Sequence, residues 1–299
     1  MSYLRVQVPA SAANLGPGFD CLAMALSLHN TFTVQLAATG VVVENAGPGA
    51  DAIPSDGSNL MVESFYHLAD RVGAGRPGIS VRAEIQIPPS SGLGSSTSAV
   101  LAGLLAADHL LKAGLPRHEI LSLAGEIEGH ADNAAAALFG GLSLVNHHGS
   151  NWRSRRLPLA PQQIIMVIPE TTITTRQMRE AMPENIALAQ AVDNAAALAD
   201  LIAALRTGDF TGIRRAARVS FHQEARLPLI PGAMAAVEAG RLAGAAVVLA
   251  GAGPGLLAFA PDQHHAIAHA MQQGFRSADI DSDAYFLSTQ MIGSSLTSA

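Results

Sequence analysis

A glycine- and serine-rich segment, Pro88–Thr97 with the sequence PPSSGLGSST, has the composition best suited to chemistry in this chain. It follows an alternating apolar segment, Ile79–Ile87, and leads into an apolar helical segment at about Ser95–Leu111. A strand, a glycine-rich turn and a helix N-terminus together present unpaired backbone N–H groups and the positive end of the helix dipole. Gly92 and Gly94 would let the backbone approach a phosphate without an intervening Cβ atom. The segment therefore predicts a binding site for nucleotide phosphates.

The segment differs from the two best-known phosphate-binding patterns. It contains no lysine, so it is not a Walker A loop, and it lacks the G-x-G-x-x-G spacing of dinucleotide-binding folds. A simpler explanation is a helix N-cap formed by Ser95 or Ser96, which would contribute about 1 kcal/mol. One hydroxyl is enough for a cap, whereas the segment has four serines and two glycines before Thr97. We therefore prefer the phosphate-binding interpretation.

Length and composition restrict the class of protein. The 299 residues predict about two domains, and 49% hydrophobic residues provide ample material for packed cores. A net charge of −6 argues against a nucleic-acid partner, and the single cysteine, Cys21, excludes an internal disulfide and suits a reducing cytoplasm. The apolar run Ala243–Ala260 is interrupted by GAGPG, and the first residues alternate like a strand. We therefore expect neither a membrane span nor a secretory signal.

Strands and helices that alternate without a strict βαβ period predict an α+β fold. In the first half the pattern indicates strands at Leu4–Val8, Phe32–Leu36 and Leu142–Val145, and helices at Asn59–Val72 and Arg117–Gly129. A polar stretch, His147–Arg156, is followed by prolines and predicts a domain boundary that divides the chain into residues 1–157 and 158–299. The elements predicted for the second half are strands at Ile164–Ile168, Ala245–Leu249, Leu256–Phe259 and Tyr285–Thr289, and helices at Thr175–Ala181, Ile186–Leu205, Phe210–Ser220 and Gln263–Gln273, with a further helix that opens at Pro231.

Three segments, in order along the chain, resemble motifs of the GHMP kinases, the superfamily of galacto-, homoserine, mevalonate and phosphomevalonate kinases. They are Val8–Asp20 (VPASAANLGPGFD), the PPSSGLGSS loop and Leu249–Phe259 (LAGAGPGLLAF). Further segments resemble the homoserine kinase branch of that superfamily: Gly125–Asn133 (GEIEGHADN), Thr174–Pro183 (TTRQMREAMP) and Phe221–Gly232 (FHQEARLPLIPG). The resemblance implies two domains, an N-terminal one like a domain of ribosomal protein S5 and a C-terminal ferredoxin-like layer.

The resemblance implies an ATP site and a magnesium site. The residues it implies for ATP are Pro88, Ser90, Ser91, Gly92, Leu93, Gly94, Ser95 and Ser96 around the phosphates, and Asn59 and Leu60 beside the base. An equally simple interpretation makes Asn59 a helix cap and Leu60 a core residue. Mg²⁺ would be held by the Ser96 hydroxyl and by one carboxylate of GEIEG. We predict Glu126 for that carboxylate, with Glu128 as the alternative, since residues two apart on a helix point to different faces.

The resemblance also implies two charged contacts to the phosphoryl acceptor. Asp20 would receive a substrate ammonium group. Arg179 and Arg226, with Thr175 nearby, would hold a substrate carboxylate, because a planar guanidinium matches a carboxylate with two hydrogen bonds. The expected acceptor is therefore an amino acid.

The reacting hydroxyl would be surrounded by Asn14, His130 and Asn133, which are the predicted catalytic residues. Asparagine cannot act as a general base, and a loose, dissociative phosphoryl transfer tolerates the lack of a strong base. Asp132 is the alternative base, although an Asp–Asn pair is also typical of a helix N-terminus.

The implied activity is phosphorylation of the side-chain hydroxyl of L-homoserine by ATP with Mg²⁺. Ala131, Ala250 and Gly255 depart from residues usual in the family and leave the fine selectivity open. The alternatives are another GHMP kinase, acting on threonine, mevalonate or a sugar, and a catalytically inactive nucleotide-binding relative. We expect small-molecule substrates, no nucleic-acid or membrane partner and a cytoplasmic location, and a homodimer is one compatible assembly.

Overall fold

The computed structural model describes residues 3–148, 151–171 and 173–298, which form eleven β-strands and ten α-helices. The strands are β1 (Leu4–Asn14), β2 (Gly18–Ala37), β3 (Val41–Ala46), β4 (Gly78–Glu84), β5 (Leu142–His148), β6 (Asn151–Leu157), β7 (Gln163–Pro169), β8 (Ala246–Leu249), β9 (Leu256–Phe259), β10 (Ser282–Ser288) and β11 (Ser295–Ser298). The helices are α1 (Leu60–Arg71), α2 (Ser95–Leu110), α3 (Arg117–Glu128), α4 (Asp132–Phe139), α5 (Thr175–Glu180), α6 (Leu188–Thr207), α7 (Phe210–Ala216), α8 (Phe221–Arg226), α9 (Ala233–Leu242) and α10 (His264–Arg276).

The first half of the chain builds a seven-stranded sheet in the order β11–β1–β2–β4–β3, with β5 paired to β2 and β6 paired to β5. Along β1, Leu4, Val6 and Val8 are buried while the residues between them are exposed, as alternation predicts. Phe65 of α1 and Leu104 of α2 share the core with these side chains. The predicted helices corresponding to α1, α2 and α3 are confirmed to within one residue at each end.

The second half builds a four-stranded antiparallel sheet in the order β10–β7–β9–β8. Helices α5 to α9 lie between β7 and β8, a hairpin joins β8 to β9, and α10 lies between β9 and β10. This βαββαβ arrangement confirms the expected ferredoxin-like layer and, with the first sheet, the α+β class. Val237 of α9 and Met271 and Phe275 of α10 are buried in a core with residues of this sheet.

The two halves also share an apolar core. Leu15 and Leu93 from the first half pack with Met166, Val248 and Phe259 from the second sheet, and all five side chains are fully buried. Leu93 belongs to the glycine- and serine-rich loop. The loop is therefore anchored where the two halves meet.

The polar stretch before the predicted boundary belongs to the first sheet. The described residues of His147–Arg156 lie in the β5–β6 hairpin, in which His147 pairs with Trp152; Gly149 and Ser150 lie outside the described residues. Residues of β6 alternate between exposed and half-buried positions, so this strand lacks the apolar alternation that indicates a strand in a sequence. The chain passes to the second sheet at residues 158–162, and β11 then returns to pair with β1 in the first sheet.

Other differences have local causes. The predicted strand Ile79–Ile87 ends at Glu84, because the Asn30 side-chain oxygen accepts the N–H groups of Gln86 and Ile87 at 2.8 Å in place of strand pairing. Five elements, β3, β6, β11, α4 and α8, have no counterpart among the predicted ones. All are short or lie at a sheet edge, where tertiary contacts decide the conformation.

Helix α6 has the length and apolar composition of a membrane span, a property that helices of soluble proteins also show. Its Leu201 and Leu205 are buried in the core shared by the two halves. Its Asn194 donates a hydrogen bond of 2.9 Å to the Pro17 carbonyl of the first half. The helix thus packs on both halves of the chain.

The turn between β8 and β9, residues 250–255, packs against the glycine- and serine-rich loop. A Cβ atom on Gly92 would collide with the Ala250 carbonyl oxygen, and one on Gly255 would collide with the Ser91 carbonyl oxygen. Gly92 also has a φ of 82°, which residues with a side chain disfavour. Glycine is needed here for the close approach of two backbone segments.

We expect Gly92→Ala to destabilise the protein more than Gly114→Ala, since Gly114 has a similar φ of 72° but nothing within 4 Å of the position of a Cβ atom. Both substitutions carry a left-handed backbone cost of about 1–2 kcal/mol, and Gly92→Ala adds an overpacking cost of about 1–3 kcal/mol. Chemical denaturation of the two variants measures the difference. Equal free energies of unfolding would contradict a packing role for Gly92.

Candidate active site

A cavity of about 330 Å³ lies between the glycine- and serine-rich loop, the turn before β2, helix α5 and the 250–255 turn. Most residues predicted for the site line it: Asn14, Asp20, Leu60, Ser90, Ser91, Gly92, Gly94, Ser95, Ser96, His130, Asn133, Thr175, Arg179 and Arg226. Glu128 and Asp132, which were alternatives in the prediction, line it as well. The structure therefore brings together segments separated by more than half of the chain.

The N-terminus of α2 opens into this cavity. Its N-cap is Gly94, at a φ of 73°, and no side chain caps it. The first intrahelical hydrogen bond runs from the Ser98 N–H to the Gly94 carbonyl, so the N–H groups of the first turn have no partner within the helix. The cap by Ser95 or Ser96 that was considered from the sequence is thus not formed, and the amide groups are left for a ligand.

The serine hydroxyls of the loop fall into two groups. Ser91 donates to the Pro88 carbonyl at 2.6 Å and Ser95 donates to the Ile87 carbonyl at 3.0 Å, so both stabilise the loop itself. Ser90 and Ser96 are exposed and line the cavity. Only the second pair presents hydroxyls that a bound anion can reach without changing the loop.

The two glycines of the loop make room for protein atoms. The close neighbour of Gly92 is the Ala250 carbonyl, and a Cβ atom on Gly94 would lie 2.6 Å from the Ser11 hydroxyl. Their lack of a side chain is thus already required by the packing of the protein. The close approach to a phosphate stays a prediction. Pro88 and Leu93, also predicted to bind ATP, are not among the residues that line the cavity; Leu93 is buried and its carbonyl accepts the Ser11 N–H at 3.0 Å.

The two candidate carboxylates at the end of α3 point in different directions. Glu128 lines the cavity, and its Oε1 accepts a hydrogen bond of 2.8 Å from the Thr97 hydroxyl. Glu126 forms an ion pair of 3.2 Å with Arg71 and lines a separate groove beside Trp152. The structure therefore places Glu128, the alternative, on the same cavity as Ser96, and Glu126, the predicted magnesium ligand, on the separate groove, because the helix turns by roughly 200° between the two positions.

The carboxylate of Glu128 lies in an environment that disfavours its charge. Its Oε2 atom is buried and has no hydrogen-bond partner among the described residues. Burial raises the pKa of Glu128 to about 7, although His130 and the Thr97 hydroxyl act in the opposite direction. A cation beside Oε2 would remove this penalty.

His130, Asp132 and Asn133 form a connected group at the start of α4. Asp132 is 2% exposed, and its Oδ1 lies 3.1 Å from His130 Nδ1 and accepts the Asn133 N–H at 2.8 Å. Burial lowers the pKa of His130, but the hydrogen bond and charge of Asp132, together with the charge of Glu128, outweigh it, so the pKa is raised overall. The Asn133 side-chain oxygen accepts from the Ser11 hydroxyl at 2.9 Å, which leaves its amide nitrogen for the cavity.

An ion pair closes the other side of the cavity. Arg179 donates from both terminal nitrogens to the two oxygens of Asp20, each at 3.2 Å. Both side chains are partly exposed, at 40% and 36%. Two residues predicted to bind opposite ends of the acceptor thus bind each other.

Arg226 is the other guanidinium of the cavity and is 1% exposed. Its Nε donates to the Met178 carbonyl at 3.0 Å, and its guanidinium carbon lies 5.0 Å from the centre of the Phe19 ring. Among the described residues it forms no salt bridge. Burial and the nearby Arg179 lower the pKa of Arg226 to about 10, because both disfavour its positive charge. An anion bound beside the guanidinium would stabilise that charge.

The turn that carries Asn14 and Asp20 has an unusual backbone. Asn14, Leu15 and Asp20 have φ values of 70°, 48° and 53° although none is a glycine. The Asn14 side chain accepts the Asp20 N–H at 2.9 Å and donates to the Gly251 carbonyl at 2.6 Å. Asn14 is therefore committed to holding the turn.

Residues of the second half that we did not single out from the sequence fix this turn. The Gly16 carbonyl accepts hydrogen bonds from the Ser220 hydroxyl at 2.9 Å and from His222 Nε2 at 2.8 Å. His222 is fully buried and its ring stacks on Phe19. Burial lowers the pKa of His222 to about 3, so the ring is neutral and donates from Nε2. No local pattern identifies this role, because the contact joins residues about 200 positions apart.

A second cavity, of about 260 Å³, adjoins the first and shares Leu60, Ser90, Ser95 and Ser96 with it. Asn59 lines this second cavity and also caps α1, since its side-chain oxygen accepts the Met61 N–H at 2.9 Å. Its amide nitrogen donates to the Pro54 carbonyl at 2.7 Å. The cap considered from the sequence is confirmed, and Asn59 and Leu60 still lie beside a cavity next to the loop.

Comparison with known proteins agrees with this geometry. The chain matches the GHMP kinases N terminal domain at residues 59–141 and the GHMP kinases C terminal domain at residues 201–277. It is similar to a homoserine kinase from Trichormus variabilis, with 37% identity and 94% of each chain covered. A homoserine kinase from Desulfitobacterium hafniense is 34% identical, over 98% of this chain and 99% of the relative.

The fold of the chain also matches a solved homoserine kinase structure. The crystal structure of homoserine kinase from Cytophaga hutchinsonii matches with a TM-score of 0.86 and 29% identity, and the match covers 99% of this chain and 97% of that chain. The two family matches cover part of each half of the chain, and the relatives and the solved structure match over nearly its full length. The chain belongs to the GHMP kinase family of ATP-dependent small-molecule kinases.

Proposed function

We propose that this protein transfers the γ-phosphoryl group of ATP to the side-chain hydroxyl of L-homoserine and so forms O-phospho-L-homoserine for threonine biosynthesis. The observation that carries the proposal is the uncapped N-terminus of α2, which faces a cavity whose other walls hold Asp20, Arg179 and Arg226. The similar proteins named homoserine kinase support this acceptor.

The terminal phosphates of ATP would bind at the start of α2. The free N–H groups of the first turn and the exposed hydroxyls of Ser90 and Ser96 are the donors available there. The adenine base would lie in the second cavity beside Asn59 and Leu60, because the two cavities join along the loop. Such a nucleotide would extend along the loop from one cavity to the other.

Glu128 and Ser96 fit a magnesium ion. The buried Oε2 of Glu128 has no partner among the described residues, and a divalent cation would supply one. Mg²⁺ commonly uses one or two protein oxygens beside phosphate oxygens, and Ser96 and Glu128 are the hydroxyl and carboxylate on this wall. When bound, the ion would neutralise the negative charge of the phosphates.

The charged wall opposite the loop suits an amino acid. Arg226 is buried without an anionic partner, so a substrate carboxylate would satisfy it, with Arg179 and Thr175 alongside. Asp20 would bind the ammonium group of the same molecule. These contacts would fix the acceptor so that its side-chain hydroxyl points toward the loop.

Catalysis would depend on positioning and charge rather than on a strong base. Asn133, held by Ser11, would orient the hydroxyl, and Asn14 would act through the turn that it holds. His130, held by Asp132, would place positive charge near the transferring group. We prefer this role to Asp132 as the base, since its Oδ1 already accepts from Asn133 and contacts His130. The hydroxyl proton would then leave late in a dissociative transfer.

Purified protein, ATP and Mg²⁺ with a panel of acceptors test the proposal through coupled detection of ADP release. We expect turnover with L-homoserine well above that with L-threonine, mevalonate or galactose. Preference for another acceptor would identify a different GHMP kinase, and ATP binding without any turnover would indicate an inactive relative. A cytoplasmic location, the lack of nucleic-acid and membrane partners, and a homodimeric assembly remain predictions from the sequence.

Arg226→Lys should raise the KM for homoserine by about 100-fold and change the KM for ATP by less than about threefold, because a lysine cannot form the paired hydrogen bonds of a guanidinium. Steady-state kinetics at saturating concentrations of the other substrate measure both constants. Arg215→Lys is the control, since Arg215 pairs with Asp200 away from the cavity. Equal changes in the two KM values would reject the carboxylate contact.

Glu128→Gln should lower kcat by about 100-fold or more and raise the Mg²⁺ concentration needed for half-maximal rate, since it removes the carboxylate beside Ser96. Glu126→Gln is the matched control two residues away on the same helix, and it should retain kcat within about twofold. Rates measured across a Mg²⁺ titration separate the two variants. A larger loss from Glu126→Gln would restore the choice made from the sequence.

The pH dependence of stability gives a second test of Glu128. Its pKa rises from an ordinary 4.5 to about 7 in the folded protein. Between these two pKa values, the Glu128 carboxyl of the unfolded chain has lost its proton, while that of the folded protein keeps it. The free energy of unfolding therefore falls as the pH rises from 4.5 to about 7. In metal-free buffer, Glu128→Gln should therefore raise Tm relative to the parent at about pH 8 and change it little at about pH 4. The same Tm difference at both pH values would argue against a buried, neutral Glu128.

A further inference from the structure

The acceptor wall, which is the part of the cavity lined by Asp20, Arg179 and Arg226, contains an ion pair between two of its own side chains. Arg179 forms two hydrogen bonds of 3.2 Å with Asp20, one to each carboxylate oxygen. This is the geometry in which a guanidinium binds a free carboxylate. Arg226, by contrast, is buried and forms no salt bridge among the described residues, so a ligand carboxylate can pair with it without displacing a protein carboxylate. One arginine of the wall is thus available and the other is engaged.

The Asp20–Arg179 ion pair is weak enough for a ligand to displace it. Both side chains are partly exposed, so water screens their attraction and competes for their hydrogen bonds. Arg179 lies on the short helix α5, and Asp20 lies at the start of β2, so the pair joins two separate segments across the cavity mouth. Once a ligand fills the cavity and displaces water, a charge left unpaired there becomes far more costly than it is in the open cavity.

We infer that the Asp20–Arg179 ion pair makes the acceptor site selective for zwitterions. A ligand with a carboxylate and an ammonium group on one carbon replaces this single ion pair by two, carboxylate to Arg179 and ammonium to Asp20. A ligand with only a carboxylate competes with Asp20 for Arg179 and leaves one of the two unpaired. A ligand with only an ammonium group leaves Arg179 unpaired. This inference rests on the proposed function, because it assumes that the acceptor binds at this wall.

The inference goes beyond two independent contacts, because it requires them to be coupled. If Asp20 served only as an ammonium receptor, its replacement would be neutral for a ligand that has no ammonium group. If it also occupies Arg179 in the unliganded protein, its replacement should improve the binding of such a ligand. The sign of the effect on a carboxylate-only ligand therefore separates the two cases.

The experiment compares L-homoserine with 4-hydroxybutanoate, which lacks only the amino group. Calorimetry in the presence of a non-hydrolysable ATP analogue gives the dissociation constants, and ADP release gives the turnover. For Asp20→Asn we expect the dissociation constant of homoserine to rise by about 100-fold and that of 4-hydroxybutanoate to fall by about tenfold. An unchanged, decreased or undetectable affinity for 4-hydroxybutanoate in Asp20→Asn would overturn the inference.

Two further variants distinguish coupling from general electrostatics. In an Arg179→Gln background, Asp20→Asn should no longer improve the binding of 4-hydroxybutanoate, because no Arg179 guanidinium is released. An improvement that persists in this background would mean that the loss of negative charge alone is responsible. That result would also overturn the inference. Glu180→Gln is the matched control, since it breaks the 2.8 Å pair with Arg176 on the same helix α5, outside the cavity. It should leave both dissociation constants unchanged.

The outcomes for the two proposals are separable. If the parent protein neither binds nor phosphorylates homoserine, the proposed function fails regardless of the behaviour of Asp20→Asn. If homoserine is phosphorylated but 4-hydroxybutanoate binds Asp20→Asn no better than the parent, the function stands and the coupled pair is rejected. Unchanged binding of the ATP analogue in Asp20→Asn shows that the cavity remains folded.

Discussion

The site depends on one constraint, which is that helix α2 begins without a side-chain cap. Gly94 supplies the left-handed turn that starts the helix, and the amide groups of the first turn face the cavity. Such an end is unfavourable unless water or a ligand satisfies it. The surrounding structure keeps it in place, because Leu93 is buried in the core between the two halves, and the Ser91 and Ser95 hydroxyls bond the loop to itself. Stability that a cap would have provided is thus replaced by packing, and the anion site stays open.

The turn at Asn14–Asp20 is likewise held in place by contacts from elsewhere in the chain. Its left-handed residues would be unstable in isolation. They persist because the second half of the chain holds the turn from several sides, through Ser220, His222 and the Gly251 carbonyl. Neither half of the chain would complete the cavity alone. The wall that holds the N-terminus of α2 comes from the first half, while the second supplies two arginines and the contacts that position Asp20.

The charges of the cavity are arranged for ligands rather than for the stability of the unliganded protein. Glu128 is held where burial disfavours its ionisation, and Arg226 is buried without an acidic partner among the described residues. Each would be costly in a protein selected for stability alone. Together they complement a cation on one side and a carboxylate on the other, which is the charge pattern of a metal-bound nucleotide beside an amino acid.

The sequence by itself determined the elements with strong local signals and the segments that carry the chemistry. Helices α1, α2 and α3 are confirmed because apolar periodicity and glycine or proline at their ends act over a few residues. Tertiary structure decided what depends on direction and on distant contacts. It assigned Glu128 rather than Glu126 to the cavity, and it turned the polar stretch around residue 150 into a hairpin. It also paired Asp20 with Arg179 and placed His222 on the Gly16 carbonyl. A side chain's residue type is local information, but the partner it faces is set by how segments more than a hundred residues apart pack together.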